Sequence, residues 1–246
     1  MENNNLHLFN LWADVWGIKL NKNVSELPIE TWIDSFNQSI EEAKTKKSKT
    51  ILFRLTEQEK SEILGQSLID IGFRKKHVRV EYQKDVSKLP SNDGTPLSWK
   101  TVEELNWSLQ ELADFVTQVA QGDPDYNPDE DPMDFIQDWI NDPVLTSGLN
   151  CISIGFDNDK KCAMIVAQVN LKNGWSRIAY MGVLPEFRNK SFGKWLHRKG
   201  FEMMKEQGGT LYHGGTTSTN YAMIKLFENH GCELYCKMEE FELSLN

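Results

Sequence analysis

Apolar positions along this chain follow two rhythms. Leu8, Leu11, Trp12, Val15 and Trp16 recur at helical spacing and stop at Gly17, which predicts a first helix. Ile29, Trp32, Ile33, Phe36 and Ile40 predict a second. Residues 50–55 predict a short strand. Ile63, Leu64, Ser67, Leu68 and Ile71 mark a helix closed by Gly72, with a strand over residues 73–82. Turn formers then crowd residues 88–96 and the periodicity stops, as in a linker. It divides the chain into an N-terminal α/β extension, residues 1–90, and a larger domain, residues 91–246.

Beyond the linker, residues 99–102 predict a strand, and Leu109, Leu112, Val116 and Val119 a helix ending near Gly122. Another helix opens at Asp131-Pro132, where Asp131 can cap and Pro132 suits the first helical position. Its apolar face is Met133, Ile136, Trp139 and Ile140. Strands are predicted over residues 151–156, 162–169 and 177–183, separated by Asp157-Asn158-Asp159 and Lys172-Asn173-Gly174 turns. The rest reads helix (193–206), Gly208-Gly209 turn, strand (210–213), helix (221–229), Gly231, and two strands within 232–245. The order β-α-α-β-β-β-α-β-α-β-β is a mixed α/β arrangement. Residues 50–85 and 210–245 share a strand–turn–helix–Gly–strand run, which duplication and coincidence explain equally well.

Composition narrows the class. In 246 residues, 39% hydrophobic and 26% charged with Gly 16 and Pro 8 is a globular balance. Cys151, Cys162, Cys232 and Cys236 form no CxxC pair and no Cys/His set at zinc spacing, so they read as small core residues in a reducing compartment and no metal is expected. The first twenty residues lack a basic segment followed by a continuous apolar one. A cytoplasmic location with no membrane partner is the expectation. The net charge of −9 argues against nucleic acid as partner.

The most informative stretch is Met181-Gly-Val-Leu-Pro-Glu-Phe-Arg-Asn-Lys-Ser-Phe-Gly-Lys-Trp195. A strand ends at Pro185, a polar loop follows, and a helix begins near Gly193. Unpaired N–H groups and the positive dipole end favour an anion there. Arg188, Lys190 and Lys194 add cationic charge, and Ser191 and Gly193 are small enough to admit a pyrophosphate. Taken alone, the charges equally suit a solvated helix face.

Val183-x-Pro185-x-x-Arg188-x-x-Ser191-x-Gly193 resembles the acyl-CoA-binding signature of the GNAT N-acetyltransferase superfamily, with Ser191 where the first glycine of that signature stands. A run from Asn220 to Gly231 is similar to the family's second helix, which an Asn opens and a Gly ends. The resemblance covers about residues 98–245. It implies a mostly antiparallel central sheet flanked by helices, and acetyl-CoA or a longer acyl-CoA as donor. It implies that Arg188, Asn189, Lys190, Ser191, Phe192, Gly193 and Lys194 cradle the pyrophosphate, mainly through backbone N–H groups. Met181 and Val183 would pair their backbones with the pantetheine arm, and Asn220 would contact the thiol end. A backbone N–H near Met181 would serve as oxyanion partner.

The family often places a Tyr on that helix as acid toward the leaving thiolate, and here the position is Phe227. Tyr180 and His213 are therefore the candidates for proton handling, each also readable as a packed or strand-end side chain. The acidic loop 123–134 lacks the glycine and final Glu of a calcium site. It reads either as a border of a cationic acceptor site or as a plain solvated loop. The leading expectation is direct acyl transfer to a primary amine on a small molecule or peptide. The rival is a non-catalytic acyl-CoA-binding or protein-interaction module. A doubly wound nucleotide-binding protein lacks support, because no GxGxxG or Walker loop is present.

Overall fold

Leu6 faces Leu20 and Leu8 faces Ile18 across an antiparallel hairpin made by β1 (Leu6–Trp12) and β2 (Val15–Leu20). The helix expected here is thus two strands. Alternation places Leu6, Leu8, Ile18 and Leu20 on one packed face, and the three-four spacing of the other apolar residues is incidental. β2 also pairs in parallel with β3 (Thr50–Thr56), Val15 beside Thr50 through Ile18 beside Phe53. Such a distant partner leaves no local trace in sequence.

The computed structural model describes residues 5–12, 15–59, 61–89, 95–123 and 130–245. The chain divides into two units, the first comprising residues 1–81, 215–219 and 235–246. There α1 (Ile29–Thr45) lays Trp32, Phe36, Ile40 and Ala43 over Ile51, Phe53 and Leu55 of β3. Ser61 caps α2 (Glu62–Asp70) by accepting from the Leu64 N–H, and Gly72 leaves the helix at φ 107°. β4 (Arg74–Asp85) follows. The C-terminal segment, expected as two strands, is one long strand, β10 (Glu233–Ser244), because no turn residue interrupts it. It lies between β3 and β4. Its buried Glu240 is held by Arg54 Nε at 2.8 Å and His77 Nε2 at 3.3 Å.

The second unit comprises residues 82–214 and 220–234. Its strands are β5 (Ser98–Thr101), β6 (Ile152–Asp157), β7 (Lys160–Val169), β8 (Trp175–Val183) and β9 (Leu211–Thr217). They neighbour in the order β9-β8-β7-β6-β5, antiparallel throughout except between β8 and β9. β7 is buried from Cys162 to Val169, which accounts for its unbroken apolar run. The sheet is flanked by α3 (Leu109–Ala120), α4 (Pro132–Asn141), α5 (Phe192–Glu206) and α6 (Tyr221–Asn229). Ser108 and Glu111 close a capping box on α3, and Asp131 caps α4 through the Met133 N–H.

Two glycines set close approaches in this unit. At Gly200 a Cβ would lie 2.7 Å from Ile178 Cδ1 and 2.8 Å from Ile165 Cδ1, so α5 rests directly on β7 and β8. Gly214 lies inside β9, which runs past the predicted end at His213. There the Tyr212 hydroxyl fills the space a side chain would need. Gln168 is fully buried, donating to the carbonyls of Trp139 (3.1 Å) and Thr146 (3.2 Å) and accepting from Arg177. It ties α4 to the sheet. Among the described residues, no helix is long and apolar enough to cross a membrane, and no cluster of His, Cys, Asp or Glu is arranged to hold a metal.

Candidate functional site

The site grows from a parting of two strands. β8 and β9 pair only at Trp175–Leu211 and Ser176–Tyr212. On its other side β8 follows β7 to Val183, with a bulge where Val166 faces Tyr180 and Ala167 faces Ile178. The Leu184 N–H donates to Cys162 O at 2.9 Å. Strand alternation then turns Gly182 toward β7, and Met181 and Val183 toward the parted edge. The Met181 and Val183 peptide groups therefore face the side on which β8 has parted from β9, the orientation from which an added extended chain would be hydrogen-bonded.

The loop after β8 is fixed by Arg188. Its Nε donates to Val183 O (3.0 Å) and its Nη2 to Val119 O (2.9 Å), while its own N–H donates to Pro185 O. Two of the guanidinium's donors are thus engaged in shaping the loop, and half of Val183's presentation to the parted edge is already occupied. Asn189 and Ser191 both adopt left-handed geometry, φ 64° and 63°. Ser191 is the N-cap of α5 and makes no side-chain capping bond, so the first N–H groups of α5, at Phe192, Gly193 and Lys194, have no helical acceptor. A Cβ built on Gly193 would meet nothing within 4 Å. No acidic residue stands in the first turn. Lys190 Nζ lies 4.8 Å from the Phe187 ring and Lys194 Nζ 4.6 Å from the Trp195 ring, with Phe187 stacked beside the buried Phe192. The arrangement is an uncovered, cationic helix start, competent to receive a phosphate-type anion.

Asn220 is the N-cap of α6, its Oδ1 accepting from the Met223 N–H at 3.2 Å. Phe227 is fully buried, stacked on Tyr82 at 4.8 Å. Of the two proton-handling candidates, Tyr180 is half-buried and stacks on Trp139 at 5.6 Å, and His213 is half-buried beside Trp175 at 6.3 Å. The two rings thus have different neighbours. In the acidic segment, residues 124–129 lie outside the described residues, and Asp131 serves as the α4 cap. Asp138 on α4 has its carboxyl raised by burial, with Arg177 opposing the shift.

A second polar group escaped sequence reasoning. His197 of α5 is fully buried, with Nδ1 3.0 Å from His230 Nδ1 and Nε2 3.2 Å from Tyr212 Oη. His230 Nδ1 also lies 3.0 Å from Leu226 O. A carbonyl only accepts, so His230 carries its proton on Nδ1, and His197 Nδ1 is an acceptor. Burial above all, then the neighbouring His230 and Lys84, holds His197 well below the ordinary histidine value. It is neutral, its proton is on Nε2, and it donates to Tyr212 Oη. The signal in sequence was the stripe Phe192, Leu196, Gly200, Phe201 and Met204, on whose flank His197 falls, masked by the adjoining Lys and Arg residues.

Residues 108–232 match the sequence model of the acetyltransferase (GNAT) family. No protein of curated function matches the chain. Among solved structures, a functionally unknown conserved protein from Staphylococcus epidermidis is similar at TM-score 0.68 and 11% identity, over 100% of this chain and 93% of that one. A GNAT-type N-acetyltransferase from Sphaerobacter thermophilus is similar at 0.64 and 13%, over 97% and 76%. One from Kribbella flavida is similar at 0.61 and 13%, over 94% and 82%. At these identities the structural likeness speaks for the fold.

Proposed function

Since the chain belongs to the acetyltransferase (GNAT) family, we propose that it transfers an acetyl group from acetyl-CoA directly to a primary amine. The single observation that carries this reading is the open start of α5, with free N–H groups over Gly193 beside Lys190 and Lys194. Residues Arg188 to Lys194 hold the pyrophosphate, with Arg188 as the brace of the loop. The Met181 peptide, and Val183 more weakly, pair with the amides of the pantetheine arm. Asn220 stands at the thiol end.

The chemistry sets two demands. A lysine-like amine with a pKa of about 10.4 needs about 4.6 kcal/mol to become a neutral nucleophile at pH 7. Tyr180 and His213 are our candidates for receiving its proton. The thioester oxygen needs a donor as the tetrahedral intermediate forms, and the Met181 N–H at the parted edge suits it; measured oxyanion donors of this kind are worth ~3 kcal/mol. Residues 1–90 we read as an extension, a degenerate counterpart of the acetyltransferase half, on the strength of the β3–α2–β4 and β9–α6–β10 runs.

A second reading is a non-catalytic acyl-CoA-binding module, favoured by one observation: Phe227 offers no proton and is core. Calorimetry with CoA and thiol release from acetyl-CoA over a panel of primary amines separate the two. Binding with amine-dependent release supports the enzyme. Binding without release supports the module, and no binding ends both.

A further inference from the structure

If Phe227 gives nothing to a departing thiolate, two tyrosines meet its ring, Tyr82 at 4.8 Å and Tyr212 at 6.4 Å between centroids, and of these Tyr212 is the one on the parted strand β9. The Tyr212 Oη fills the place of a side chain on Gly214, and Phe227 Cε1 would lie 3.0 Å from the same position. Gly214 falls in the part of β9 beyond Ser176–Tyr212, its last pairing with β8. Tyr212 is itself that last paired residue, and its fully buried ring lies against His197 and Phe227, so the hydroxyl stands beside the stretch of β9 that has parted from β8.

Its hydrogen bonding is one-sided. Among the described residues Tyr212 Oη has a single hydrogen-bond partner, His197 Nε2, and the chain from Leu226 O through His230 makes that nitrogen the donor. The tyrosine's own proton is left without an acceptor, an unfavourable state for a buried donor. We infer that Tyr212 is the acid that protonates the leaving sulfur, oriented by His197, an inference that rests on the acetyl-transfer reading above.

In that step the C–S bond of the tetrahedral intermediate breaks, its electron pair goes to sulfur, and the Tyr212 proton converts the thiolate into CoA thiol. The phenolate that remains keeps the His197 Nε2–H bond, a charge-assisted one. The proton shed by the amine as it becomes an amide restores the phenol, so the cycle closes with no further reactant. Burial pushes the Tyr212 phenol well above its ordinary value, so it holds its proton until a strong acceptor arrives. The donated His197 bond favours the phenolate that forms, against that shift.

The test compares Tyr212→Phe with wild type on two donors, acetyl-CoA and an acetyl aryl thioester whose leaving thiolate needs no acid. The most readily acetylated amine of the panel serves as acceptor. We expect a loss in kcat of about 100-fold with acetyl-CoA, little loss with the aryl thioester, and an unchanged CoA affinity by calorimetry. His197→Gln should reproduce the pattern in weaker form and shift the pH profile of kcat. Full activity of Tyr212→Phe with acetyl-CoA, or equal losses on both donors, overturns the assignment. A wild type that binds CoA but releases no thiol with any amine overturns the acetyl-transfer reading itself, and this inference with it.

Discussion

Arg188 Nη2 lies 2.9 Å from the carbonyl of Val119 and ties the loop after β8 to the last turn of α3. The same guanidinium reaches back to Val183, so one side chain sets both the path of the loop and the height of the α5 N-terminus. A cation that a sequence pattern marks for phosphate here also braces the loop.

Arg188→Met should therefore weaken CoA about tenfold by letting the loop relax, and Lys190→Ala should weaken it through charge alone. Calorimetry at low salt and at about 0.5 M salt separates them, because screening shortens with salt. The Lys190 effect should shrink and the Arg188 effect persist. Equal salt sensitivity of both would refute the brace.

Ser191 sits at φ 63°, a conformation that costs an ordinary residue about 1 kcal/mol. Ser191→Gly should raise unfolding stability by about that amount, measured by urea titration. No gain, or a loss, would mean the serine side chain contributes something its geometry does not reveal.

Gln168 serves two carbonyls and Arg177 in the core. Gln168→Ala should cost about 3 kcal/mol, since it strands several buried polar groups at once. A loss below about 1 kcal/mol in denaturant unfolding would show that α4 is held by its apolar face alone.

Burial lowers both His197 and His230, and His230 is further disfavoured as a cation by Arg198, Lys84 and Lys194. The unfolded chain then takes up protons first as pH falls below about 6.5, so stability present above that value drains away under acid. Unfolding at about pH 7 and about pH 5 should show the decline, and His230→Asn should flatten it. Parallel declines in both proteins would remove His230 as its source.

Much of this was legible in advance. Leu112, Val116 and Val119 stop near Gly122, Asp131-Pro132 opens α4, and Gly193 begins a helix, because caps and apolar stripes are local properties of sequence. The first hairpin was not, since Leu6–Leu20 pairing and the parallel neighbour β3 are contacts between distant residues that helical spacing of Leu8 and Leu11 imitates. The path of the α5 loop was legible in Ser191 and Gly193. The employment of Arg188 was hidden, because Val119 belongs to a helix far back in the chain. His197 was hidden for another reason, a neutral imidazole written among Lys194, Arg198 and Lys199.

Where β8 and β9 separate, the fold leaves a row of peptide groups with no mate, the kind of unquenched border on which chains stick to one another. Whatever molecule settles there acts as a temporary strand. The empty protein should accordingly be the form that clumps on storage and yields first to proteases, and its natural occupant the best preservative for it.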